Sequence, residues 1–92
     1  MEKIWLFTQE SNVDGEITFN VIPCASEEAA KKVFEEEKNW ILNDSYHFGQ
    51  SMTEEEREEE CYIEESENRF FINDDSDDYY EELYIEEKEI QF

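Results

Sequence analysis

The chain predicts an α+β fold: a small antiparallel sheet with one main helix packed on one face. Three observations predict it. Apolar and aromatic runs of strand length fall in two hairpin-like pairs plus a final run, a single long stretch between them has helical period, and Gly (2) and Pro (1) are scarce. The resulting order is ββα, an acidic connection, then βββ, which suits one small α+β domain spanning 1–92.

The elements follow in order. "KIWLFTQ" at 3–9 is β-branched and aromatic enough for a strand. Its four consecutive apolar residues suggest a central strand covered on both faces. Asp14-Gly15 is a strong hairpin turn signal. In "EITFNVIPC", Ile17, Phe19 and Val21 point one way and Thr18 and Asn20 the other. Pro23 cannot donate to a ladder, so it ends this strand or marks an edge.

Ser26 is a good helix N-cap, with Glu27 and Glu28 at the positive end of the dipole. Ala30, Val33, Phe34, Glu37 and Ile41 then form one stripe, apolar except for Glu37. Glu27–Lys31 and Glu28–Lys32 are i,i+4 pairs in the favourable order, so a helix is expected over 27–43. Phe34 and Trp40 are expected to be buried against the first hairpin. "NDSYHFGQSM" reads as a loop punctuated by Gly49. Thr53 and Glu56 have capping-box spacing, which allows one or two helical turns at 54–59, frayed by like charges. "CYIEESENRFFIND" looks like a second hairpin turning near Ser66-Glu67-Asn68, "DDSDDYY" like a loop, and "ELYIEEKEIQF" like a final strand. Leu83 and Ile85 share one face of that strand and Ile90 and Phe92 the other, so a bulge near Glu86–Lys88 is expected.

Composition bounds the function. The aromatic content, 15%, argues for a folded core despite 38% charged residues. The net charge is −21, and it is uneven: residues 51–92 hold eighteen acids against three bases. Such a chain repels DNA, RNA and anionic membrane and attracts basic proteins. No signal peptide or membrane span is visible, so a cytoplasmic location is expected. Cys24 and Cys61 lack CxxC spacing and read as reduced thiols, with a disulfide between them left open.

Catalytic and cofactor signatures are missing. His47 is the only histidine and has no Ser, Cys or Asp at a spacing that specifies a triad. There is no Gly-rich phosphate loop, so neither an enzyme nor a cofactor is expected. Asp74, Asp75, Asp77, Asp78 and Glu81 offer hard oxygens, but both EF-hand registers fail for want of Gly at position 6 and Glu at position 12, so no dedicated metal site is expected.

The expected function is therefore a protein-interaction module for a basic partner. Same-face residues on a strand lie ~6.6 Å apart and neighbouring strands ~4.8 Å apart, so strands over 60–65 and 82–91 would present carboxylates as a dense array suited to a groove built for phosphates. The expected partner-binding residues are Glu58, Glu60, Glu64, Asp77, Asp78, Tyr79, Tyr80, Glu86 and Glu87, with the tyrosines as aromatic anchors within a charged rim. The alternative is a small accessory protein whose acidity serves solubility alone. The early hairpin, the "ASEEAAKKVFEEE" helix and the "YIEEKEI" ending resemble small acidic proteins of bacterial mobile elements and phages. That resemblance implies imitation of DNA to block a nucleic-acid-binding protein as one form of the function, and it names no target.

Overall fold

The computed structural model describes residues 2–74 and 78–90. Its elements are β1 (Glu2–Val13), β2 (Glu16–Cys24), α1 (Glu27–Asn43), a five-residue π turn (Tyr46–Gln50), α2 (Glu54–Glu60), β3 (Cys61–Glu65), β4 (Arg69–Asp74) and β5 (Tyr79–Ile90). The strands form one antiparallel sheet in the order β2-β1-β5-β4-β3. Together with α1 packed on one face, this is the α+β architecture expected. No described helix is long and apolar enough to cross a membrane.

Local chemistry explains where the elements begin and end. Asp14 and Gly15 both take positive φ, 55° and 85°, so the first hairpin closes through a two-residue turn whose twist matches the strands. Ser26 Oγ accepts the Ala29 N–H at 3.1 Å and caps α1. In α2 the capping box is complete: Thr53 Oγ1 accepts the Glu56 N–H, and the Glu56 carboxylate accepts the Thr53 N–H. That closure holds the helix through Glu60 despite its like charges. The π turn occupies the stretch expected to be a loop. It folds back onto the end of α1, and a Cβ on Gly49 would lie 2.6 Å from the Asn43 carbonyl carbon, so only glycine fits.

Register decides the two faces. Phe7 lies opposite both Ile22 and Ile85, and Phe70 opposite Leu83, so these residues share the face covered by α1. Phe7, Phe34, Ile41, Phe70, Ile72 and Leu83 are the large side chains buried there. The other face carries Ile4, Leu6, Ile17, Phe19 and Val21 from the first hairpin and Phe71, Tyr80, Glu82 and Tyr84 from β4 and β5. No described helix packs on that face.

Several expectations change. β1 is central but covered on one face only, leaving Ile4 and Leu6 half-buried on the open side. Phe34 is buried as expected, whereas Trp40 is 48% exposed, because α1 turns its 30–34–41 edge to the sheet and position 40 falls beside it. Pairing of β1 with β5 runs unbroken from Glu2↔Ile90 to Val13↔Tyr79, so there is no bulge near Glu86–Lys88. None is needed, since Leu83 and Ile85 face α1 while Ile90 lies on the open face; Phe92 is outside the described residues. β3 and β5 are not neighbours. β4 lies between them, which breaks the expected carboxylate array. Cys24 is buried and Cys61 half-buried, and no disulfide joins them.

Candidate partner-binding surface

The acidic surface is defined by where the bases go. α2 carries six glutamates and one arginine, and a seven-residue helix lying on a domain must turn one side inward. The side it turns inward is Arg57, 8% exposed, whose Nη1 donates to the Phe48 carbonyl at 3.0 Å. All six glutamates remain exposed. The only cation of the segment is thus withdrawn from its surface.

Five of the other six bases form ion pairs with carboxylates of the chain. Lys31 Nζ bridges Glu27 at 2.9 Å and Glu67 at 3.1 Å, and Lys38 Nζ bridges Glu65 at 2.6 Å and Glu35 at 3.1 Å. Arg69 spans the open sheet face, donating from Nη2 to Glu82 at 2.6 Å and from Nη1 to Glu64 at 3.0 Å. Lys3 pairs with Glu87 at 3.2 Å, and Lys88 lies 3.8 Å from Glu86. Of the lysines only Lys32 has no ion pair among the described residues, and the partner of Arg57 is a carbonyl. The paired carboxylates raise the pKa values of Lys31 and Arg69 through hydrogen bonds, and that of Lys38 against its partial desolvation. Lys31, Lys38 and Arg69 therefore stay charged and occupied, and the six carboxylates of α2, which no base meets among the described residues, are left to solvent.

The expected site residues are distributed over three places. Glu58 and Glu60 stand exposed on α2. Glu64, Tyr80 and Glu86 lie on the open sheet face, where Glu64 is tied to Arg69 and the Tyr80 hydroxyl donates to Glu10. That bond, reinforced by burial, pushes the Tyr80 phenol up to about 12. Glu10 sits directly opposite Glu82, so Tyr80 and Arg69 between them relieve a like-charge pair. Tyr79 and Glu87 point to the α1 side, and Asp78 is exposed beside the first hairpin turn, its carbonyl accepting the Gly15 N–H at 3.1 Å. Asp77 lies outside the described residues. The strand carboxylates do not join those of α2 in one sheet array, because Arg69 and the aromatic face of β4 intervene.

A cleft of about 220 Å³ opens between the π turn, α1 and the hairpin end, lined by Trp40, Tyr46, His47, Phe48, Tyr79 and Glu81, among others. The His47 ring stacks on Tyr79 with centroids 3.9 Å apart and planes within 7°, and its Nε2 lies 2.6 Å from Asp74 Oδ2. Glu81 is buried, and its Oε2 accepts the Ser11 hydroxyl at 2.5 Å and the Gln9 amide at 3.2 Å. Burial raises its pKa, and those two donors oppose the rise without cancelling it. The cleft adjoins α2, since the Phe48 that lines it is the residue whose carbonyl receives Arg57. No group of three or more metal-ligating side chains occurs among the described residues.

Sequence reasoning missed the burial of Arg57 and of Glu81, the latter named only among the acidic oxygens of its segment. A signal existed for the first: in "EEEREEE" only one side chain can face a domain without burying a carboxylate. Glu81 could not be separated from its acidic neighbours without the strand register. Comparisons with protein-family models, curated proteins and solved structures return no match.

Proposed function

We propose that this protein is an acidic docking module for a basic partner protein. The withdrawal of its own bases supports that reading: a chain of net charge −21 ties its lysines and arginines to internal acceptors, apart from Lys32, and presents α2 as a cation-free surface. Solubility alone does not require an arginine to be buried beneath six glutamates.

The charge density of α2 indicates what kind of basic surface it fits. Seven helical residues span about 10 Å. Duplex DNA carries roughly one charge per 1.7 Å of axis, or about six over that length. α2 carries six carboxylates. A groove that holds phosphates matches this spacing, so imitation of a nucleic acid is the form of docking the geometry favours. The adjoining cleft offers a place for one basic side chain, with the exposed aromatic residues Trp40 and Tyr46 and the buried Glu81 among its lining.

Affinity capture at low salt, eluted with a salt gradient, tests the reading. A basic protein should elute steeply as salt rises, since phosphate-type contacts weaken about linearly in log–log terms. Duplex DNA should displace the same protein. Capture of a partner whose retention ignores both salt and DNA would count against it.

A further inference from the structure

The strand with the fewest charged side chains among the described residues is also one of the two open edges of the sheet. β2 ends the strand order, and α1 packs chiefly over β1 and β5, leaving the outer rim of β2 uncovered. Within β2, residues 17–24, "ITFNVIPC", include no charged side chain, in a chain of net charge −21. Ile17, Phe19 and Val21 are 54%, 67% and 52% exposed, side by side on the open face. Natural edges are usually blunted by lysines, bulges or very short strands. β2 runs nine residues in continuous register with β1, and only Pro23, near its end, interrupts the row of donors.

The turn identifies which backbone groups point outward. In a two-residue hairpin the residues flanking the turn, Val13 and Glu16, form a hydrogen-bonded pair, and such pairs alternate along an antiparallel ladder. Thr18, Asn20 and Ile22 therefore spend their N–H and C=O groups on β1. Ile17, Phe19 and Val21 direct theirs away from the sheet. The residues with outward backbone groups are the same three whose apolar side chains are exposed.

We infer that β2 is a self-association edge, pairing antiparallel with β2 of a second copy about a two-fold axis at Phe19, to give one continuous ten-stranded sheet. The pairing is self-complementary: Ile17 meets the second copy's Val21, Phe19 meets Phe19, and Val21 meets Ile17. Each pair exchanges two backbone bonds, and neighbouring apolar side chains cover one another's flanks. Charge selects this edge. Two copies repel nearly everywhere else, whereas here the nearest open-face carboxylate, Glu10, sits one strand in from the rim. Across the joint the two Glu10 residues would lie three strand spacings apart, roughly 14 Å, beyond the ~8 Å screening length at physiological salt. A basic partner's strand at the same edge would meet only Glu16, at the turn end of β2, and Glu10, one strand in.

Sedimentation of the full chain across a salt series tests the inference. The mass should double from 11.2 kDa as salt rises, because screening removes the repulsion of the acidic halves and leaves the apolar edge intact. Basic-partner docking should move the opposite way. Val21→Pro removes one outward N–H and no bond to β1, so it should sediment as a monomer at every salt with an unchanged far-UV spectrum. Phe19→Lys, which alters no backbone group, should do the same and keeps the test open if the proline variant fails to fold. A wild-type chain that stays monomeric in high salt overturns the inference. So does a dimer that survives Phe19→Lys.

Discussion

Replacing Phe34 with alanine separates the two aromatic residues of α1 that are both expected, from the sequence, to be buried. Phe34 is 1% exposed, in the cluster that joins α1 to the sheet, and Lys38 Nζ lies 5.9 Å from its ring centroid. Removing a fully buried phenylalanine costs ~3–5 kcal/mol, the lost transfer energy plus that of the cavity left behind. A domain of this size holds about 5–14 kcal/mol in total at ~0.05–0.15 kcal/mol per residue. The variant should therefore lose a large part of its stability, with Tm lowered by at least ~12 °C at ~4–8 °C per kcal/mol. Trp40 is 48% exposed, so Trp40→Ala removes about half as much buried area and opens no closed cavity. Its cost should be ~1–2 kcal/mol. Urea melts followed by circular dichroism measure both. A Phe34→Ala variant within ~1 kcal/mol of wild type, or a Trp40→Ala variant as damaging as it, would refute the assignment of the core.

Glu81→Gln should alter the pH dependence of stability. Burial raises the folded pKa above the ordinary carboxylate value, so the folded state binds the proton more tightly, and stability is full at low pH and lost as pH rises through the folded value. Tm of the variant should match wild type in acid and exceed it increasingly towards neutral pH; parallel curves would contradict this. Wild-type Tm should rise with added salt, because the surplus carboxylates repel one another; a fall would show that the pairs of Lys31, Lys38 and Arg69 outweigh the surplus. Thr53→Ala removes the cap of α2 and should cost ~0.5–2 kcal/mol of local stability. Faster amide exchange confined to α2 would register it, and unchanged exchange would show that the buried Arg57 holds the helix unaided.

What could be read in the sequence was the local chemistry. Ser26 marks the start of α1, Asp14-Gly15 closes the first hairpin and the Thr53–Glu56 box starts α2, because each is a hydrogen-bond or backbone requirement settled within a few residues. What could not be read depends on distant parts of the chain. That β4 separates β3 from β5 follows from which strands pair, and that order placed Arg69 where continuous acidity was expected. Ile17, Phe19 and Val21 were correctly assigned to one face. Whether that face met α1 or solvent depended on the register with β1, since a one-residue shift exchanges the faces. The residues of the cleft span four elements, and while "EEEREEE" shows which side chain can face inward, it does not show that the Phe48 carbonyl receives it.

On the proposed function, a particular surface, and not total charge, binds the basic partner. Two charge-matched variants test it most directly. One changes Glu54, Glu55, Glu58 and Glu59 of α2 to Gln, keeping the capping residue Glu56; the other changes Glu16, Glu28, Glu36 and Glu89, all exposed and remote in sequence from α2. Removing four negatives from −21 leaves −17 in both. Affinity for the captured partner, measured by titration at fixed low salt, should fall by more than tenfold in the α2 variant and by less than about threefold in the other, as expected when each exposed pair contributes ~0.2–1 kcal/mol. Equal losses in the two variants would show that net charge alone governs binding, and that α2 is only a solvated surface.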